Sequence, residues 1–170
     1  MRAMRLAKRE ITDSEELKSV VEACQVLRLG LLDDDGVYIV PVNFGIDWRV
    51  DAEGRPAPAF WLHSAGEGRK ADALRASSVA GARIAVEMDI DDGVIAGAYA
   101  CSYSLAFRSV MGLGIAHEVT DPAEKEHGLA RIMEHAAPGA PVTFTEQALE
   151  RVGVWRIDVV ELTGKQRKAR

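Results

Sequence analysis

The segment Trp61-Leu62-His63-Ser64-Ala65-Gly66-Glu67-Gly68-Arg69-Lys70 brings together residue types suited to holding a phosphate. An apolar strand ends in a histidine and a serine, two glycines make a turn, and Arg-Lys opens a helical segment. Amide N–H groups are unpaired at a helix start, the helix dipole favours an anion there, and glycines let the backbone come close. Arg69 and Lys70 add full positive charges, and a guanidinium can engage two phosphate oxygens at once. The competing reading is a glycine-rich turn that binds nothing. His63 likewise has two readings, a polar residue satisfied within the fold or a functional group beside the turn.

Other chemistries fit less well. No Gly-x-x-x-x-Gly-Lys-Ser/Thr occurs, and Gly164-Lys165 is followed by Gln166 where a magnesium-binding hydroxyl would be needed. Gly112 and Gly114 lack the third glycine and following helix of a dinucleotide site. Glu124 and His127 have the spacing of a di-iron ligand pair without its second copy, so they and His135 are expected on a solvated helix face. Asp89, Asp91, Asp92 and Gly93 lack calcium-loop spacing and suggest a strand-ending turn. No metal site is expected. Cys24 and Cys101 have neither CxxC nor zinc spacing and suit two reduced thiols.

The elements that must position the turn follow from periodicity. Thr12 or Asp13 caps a helix bearing Leu17, Val20, Val21 and Cys24 on one face. Val26 to Leu32 is strand-like, Asp33-Asp34-Asp35-Gly36 is a hairpin turn, and Val37 to Ile46 is a strand in which Pro41 demands an edge or a bulge. A loop from Asp47 to Pro58 leads to Phe60–His63. A short helix, Arg69 to Ala76, and a strand, Arg83 to Asp89, precede an irregular segment, Asp91 to Ser102. Leu105 to Val119 is a long strand bent at Gly112 and Gly114. Asp121-Pro122 starts a helix with Leu129, Ile132, Met133 and Ala136 as its apolar stripe, Thr145 to Val152 is another short helix, and Val154 to Leu162 closes the chain.

Strands joined by short turns, with helices at the periphery, indicate a mainly β (α+β) fold: a small antiparallel barrel rather than a doubly wound sheet. With 170 residues, 48% of them hydrophobic, one domain spanning 1–170 is expected, with basic tails at about 1–9 (Arg2, Arg5, Lys8, Arg9) and 165–170 (Lys165, Arg167, Lys168, Arg170). A net charge of −5 argues against a nucleic-acid partner. No apolar run is long enough to span a bilayer and no leader is evident, so a cytoplasmic protein without a membrane partner is expected.

Four segments in order carry a resemblance: Val37-Tyr38-Ile39-Val40-Pro41-Val42-Asn43-Phe44; Trp61 to Lys70; Phe107-Arg108-Ser109-Val110-Met111-Gly112; and Trp155-Arg156-Ile157-Asp158 with Thr163-Gly164-Lys165. Together they resemble the FMN-binding split-barrel proteins related to pyridoxamine 5′-phosphate oxidase, within them the 5-nitroimidazole resistance (Nim-like) branch, over about residues 9–165. The resemblance implies an antiparallel split barrel and a homodimer holding FMN at the subunit interface. Val40, Pro41, Val42 and Asn43 would run along the flavin ring. His63, Ser64, Gly68, Arg69 and Lys70 would approach the ribityl chain and phosphate, with His63 also the candidate catalytic group. Arg108 and Ser109 would lie close by, and Trp155 near the interface. The implied activity is an FMN-dependent oxidoreductase, nitroreductase-like, acting on a small nitroaromatic or quinone-like acceptor. The alternatives are a non-catalytic flavin- or haem-binding module and a deazaflavin-dependent reductase on the same barrel. Phe107 replaces a common tyrosine and Ile115 a common lysine, and the Asp47–Pro58 loop is long enough to reshape a pocket mouth.

Overall fold

A computed structural model describes residues 4–169; Arg2 and Arg170 of the expected tails lie outside the described residues. Eight strands and four α-helices follow one another in the order β1 (Glu10–Ile11), α1 (Ser14–Ala23), β2 (Leu27–Asp33), β3 (Gly36–Val42), β4 (Gly45–Asp47), β5 (Ala59–Ser64), α2 (Arg69–Ala80), β6 (Arg83–Ile95), β7 (Ser104–Val119), α3 (Pro122–Ala136), α4 (Glu146–Arg151) and β8 (Gly153–Arg167). The strands form one antiparallel sheet in the order β3-β2-β6-β7-β8-β5-β4, with β1 added on β8. Its path is open between β3 and β4, so the antiparallel barrel expected from the strand pattern is the split form that the resemblance implies.

Asp13 caps α1 by accepting from the Glu16 N–H at 2.7 Å. Pro41 sits on the terminal strand β3, where a missing N–H costs no ladder bond. Gly36, at φ +110°, turns the β2–β3 hairpin. The pairing of β7 with β8 shifts between Leu113 and Gly114, the bend that the two glycines predict.

Several boundaries differ from expectation. The strand expected over 37–46 is interrupted by Asn43 and Phe44, which separate β3 from β4. β6 continues to Ile95 through a bulge between Asp91 and Val94, because β7 offers it a pairing partner out to Ser104. Residues 165–167 are no tail: they extend β8 and pair with β1 and β7. α2 runs on to Ala80, closed by Gly81 at φ +62°.

The main core fills the barrel with Leu27, Leu29 and Leu31 of β2, Phe60 and Leu62 of β5, Ile84, Val86 and Met88 of β6, and Trp155 and Ile157 of β8, roofed by α1 and α2. Alternation sends Trp61 and Val154 to the other face, where Ile132 and Leu129 of α3 cover them. Burying side chains of this size contributes about 1.5–3 kcal/mol apiece. Ala136, expected in the α3 stripe, is exposed, and Gly128 takes its place against Trp61. His135 is not on a solvated face: its Nε2 lies 2.8 Å from the Cys24 carbonyl and its ring 4.3 Å from that of Phe44.

Candidate functional site

Five of the residues singled out by sequence meet at one place. Pro41 and Val42 at the end of β3, Asn43 beyond it, His63 at the end of β5 and Lys70 in the first turn of α2 line an open cleft of about 320 Å³, together with Val26. The chain brings them together because β5 delivers His63 to the rim and the Ala65–Gly68 turn reverses into α2. Gly68 makes the reversal at φ +101° and caps α2 without a side-chain hydrogen bond, so the helix start is open to an incoming acceptor. Val40, one residue earlier on β3, packs on the main core.

Lys70 is half-buried here, and no carboxylate lines the cleft. Burial alone pushes its ammonium below the usual lysine range. No hydrogen-bond or ion-pair partner engages it among the described residues. A partly desolvated lysine from the first turn of α2 and a histidine line one cleft, residue types suited to an anion.

Arg69 is differently placed. Its guanidinium grips Asp33 through two bonds, Nε to Oδ2 at 2.6 Å and Nη2 to Oδ1 at 3.0 Å, and lies 4.0 Å over the Tyr38 ring. The Tyr38 hydroxyl donates to the Arg69 carbonyl at 3.1 Å. Arg69 therefore ties α2 to the β2–β3 hairpin, which leaves Lys70 as the uncommitted cation.

The turn is anchored from its other side as well. Ser64 Oγ donates to the Ala65 carbonyl at 2.7 Å and accepts from Trp155 Nε1 at 3.1 Å. Trp155 is buried in the core and reaches the turn through Ser64. Arg75 Nη2 donates to the Gly66 carbonyl at 3.2 Å, while Nη2 and Nε hold Glu118 of β7 at 3.0 and 3.1 Å. Sequence reasoning missed Arg75 and Glu118; the only signal was that Arg75 lies one helical turn beyond Ala71 on a helix leaving the turn.

Two expected site residues lie elsewhere on this chain. Arg108 is paired with Asp92 at 2.7 and 2.9 Å and lines a different cleft with Glu16 and Arg167. Ser109 shares the outer sheet face with Met111, two residues along β7. The Asp47–Pro58 loop enters β5 at Ala59, the opposite end from His63, so within one chain it cannot shape the cleft mouth. Instead it is braced by Asp51, which accepts from the Glu53 and Arg55 amides at 3.0 and 2.8 Å. Tyr99 and Tyr103 are exposed.

The pyridoxamine 5′-phosphate oxidase family model matches residues 13–166. Among solved structures, a protein assigned to 5-nitroimidazole antibiotic resistance from Bacteroides thetaiotaomicron is 27% identical, with a TM-score of 0.75 over 92% of this chain and 86% of that one. The fold is also that of a flavocytochrome from Azotobacter vinelandii (22% identity, TM-score 0.77, 99% of this chain and 73% of that one). A FAD and haem binding protein from Mycobacterium smegmatis shares it too (20% identity, TM-score 0.75, 95% and 74%). No curated protein sequence matches significantly.

Proposed function

Since the chain belongs to the pyridoxamine 5′-phosphate oxidase family, we propose that it binds FMN in the Pro41–Lys70 cleft and acts as an FMN-dependent oxidoreductase on small nitroaromatic or quinone-like acceptors. The observation that carries this reading is the half-buried Lys70, without a partner among the described residues, at an uncapped helix start. A phosphate dianion there would regain for the lysine what burial takes away, through a charge-assisted bond. Gly66 and Gly68 leave room for the approach, and Ser64 lies next along the chain. His63 and Asn43 offer polar contacts at the rim, while Val42 and the ring of Pro41 offer an apolar wall. The residues present thus fit the cofactor. Bound flavin would supply hydride and electron transfer; the protein supplies orientation and electrostatics.

The same reading places a second copy on the sheet's outer face. Leu32, Val37, Ile39 and Met111 are 66%, 79%, 68% and 62% exposed, and the registers Leu32↔Val37, Gly30↔Ile39, Gly30↔Ala85 and Ala85↔Leu113 put them on one side. An apolar face of this kind is characteristic of a protein contact. Pro41 belongs to that face and to the cleft, so a partner seated there would close over the flavin, with Ser109 reaching it from the partner side.

The experiment is spectroscopic. Purified protein should show flavin absorbance, bleach with NAD(P)H without oxygen, and recover its colour when a nitroaromatic or quinone is added. Bound flavin that no reductant bleaches would replace the enzyme with a non-catalytic flavin- or haem-binding module. Binding of a deazaflavin in preference to FMN would move the activity to that cofactor.

A further inference from the structure

We infer that Arg75, held by Glu118, is the positioning residue of the phosphate turn; this rests on the FMN reading above. In a trans peptide the N–H points opposite to the preceding carbonyl, and the chain contains no cis bond among its described residues. Fixing a carbonyl therefore aims the next amide. Ser64 Oγ holds the Ala65 carbonyl and Arg75 holds the Gly66 carbonyl, so the amides of Gly66 and Glu67 are turned away from these anchors. Neither amide donates to an acceptor among the described residues.

Arg75 is itself fixed. Its fork spans both Glu118 oxygens, Nη1 reaches Asp72 at 3.4 Å, and the guanidinium lies 5.8 Å from the centre of the Trp155 ring. Glu118 pairs with Trp155 across β7 and β8, and Trp155 with Leu62 across β8 and β5. The turn is thus referenced to the rigid sheet rather than to α2 alone. A glycine-rich turn without that reference would sample many conformations, and ordering it on binding would consume affinity. Arg75 does not touch the cleft. It acts by keeping two donors aimed, and the phosphate alone should register their loss.

The test compares FMN with riboflavin, which has the ring and ribityl chain without the phosphate. Each is titrated by fluorescence quenching into wild type, Arg75→Lys, Glu118→Gln and the control Arg83→Lys, which loosens another exposed arginine–glutamate pair, Arg83–Glu161. Arg75→Lys keeps the charge and loses the fork; Glu118→Gln removes the negative charge and one of the two acceptor oxygens that hold Arg75, and carries the test should Arg75→Lys fail to fold. Both should weaken FMN about fivefold, the equivalent of one hydrogen bond, and change riboflavin less than about twofold. Arg83→Lys should leave the ratio as in wild type. Equal weakening of both ligands, or an unchanged ratio, overturns the positioning role while FMN binding stands. A wild type that does not prefer FMN over riboflavin removes the phosphate site, and this inference with it.

Discussion

Lys70 and Arg69 are adjacent and carry the same charge, yet the fold gives them different work. Arg69 is spent on Asp33, 36 residues away, whereas Lys70 faces the cleft without a counter-ion among the described residues. Lys70→Ala should therefore weaken FMN by about 2 kcal/mol, roughly 30-fold, and leave riboflavin nearly unchanged. Arg69→Ala should barely alter stability, as the loss of an exposed ion pair does, with little effect on the ratio of the two ligands. The pH dependence has a definite sign. Burial lowers the Lys70 ammonium in the folded protein, so its charge is lost as pH rises before that of an ordinary lysine. A titration of FMN affinity should show a break below the usual lysine range that is absent in Lys70→Ala; a curve of the same shape for both proteins would remove Lys70 from the site. The Gly-x-Gly-Arg-Lys turn was legible in sequence because two glycines and two adjacent cations directly follow an apolar strand that ends in His-Ser. Which cation remains free was not legible, since that depends on a carboxylate delivered by a distant hairpin.

Helix α3 shows what periodicity reveals and what it hides. The spacing of Leu129 and Ile132 marks the apolar stripe, and Asp121-Pro122 marks the start, with the Asp121 carboxylate accepting from the Glu124 amide at 2.9 Å. The depth of docking depends on two glycines that no periodic pattern singles out. A Cβ on Gly128 would stand 2.5 Å from Trp61 Cε3, and one on Gly45 would overlap the backbone of Arg131 and Ile132. Gly45→Ala should thus cost about 1–3 kcal/mol in urea unfolding by overpacking; a cost near zero would show that the helix can move aside. A polar latch lies alongside. Asp47 Oδ2 accepts from Trp61 Nε1 at 2.9 Å and lies 2.8 Å from His127 Nε2. Burial pushes this carboxyl up, but the hydrogen bonds from His127 and Trp61 outweigh it and hold it below the ordinary value. A lowered carboxylate contributes stability above its unfolded-state pKa and loses it as pH falls through the folded one. Asp47→Asn should accordingly flatten the acid limb of the stability profile, and an unaltered limb would exclude the latch. The extra lengths of β6 and β8 escaped sequence reading because each is set by a neighbour's edge, β7 for one and β1 with β7 for the other, rather than by its own alternation.

At the scale of the molecule, the strand pattern and the four ordered segments were enough to reach the split barrel. They were not enough to show that the outer face leaves an apolar patch of Leu32, Val37 and Ile39 exposed beside the cleft, because alternation alone does not tell a covered face from an open one. That face predicts association. Light scattering should give twice the 18.5 kDa chain mass, and Val37→Lys with Ile39→Lys should give the single-chain mass and lose FMN together. A wild-type protein of single-chain mass would leave the cofactor site to one subunit. The central claim, that the Lys70 cleft receives the phosphate of a flavin, is tested most directly by titrating FMN into cofactor-stripped protein and counting equivalents. One flavin bound per chain, held about tenfold or more tightly than riboflavin, is the predicted result. Protein that stays colourless, with no saturable uptake of FMN, would contradict it.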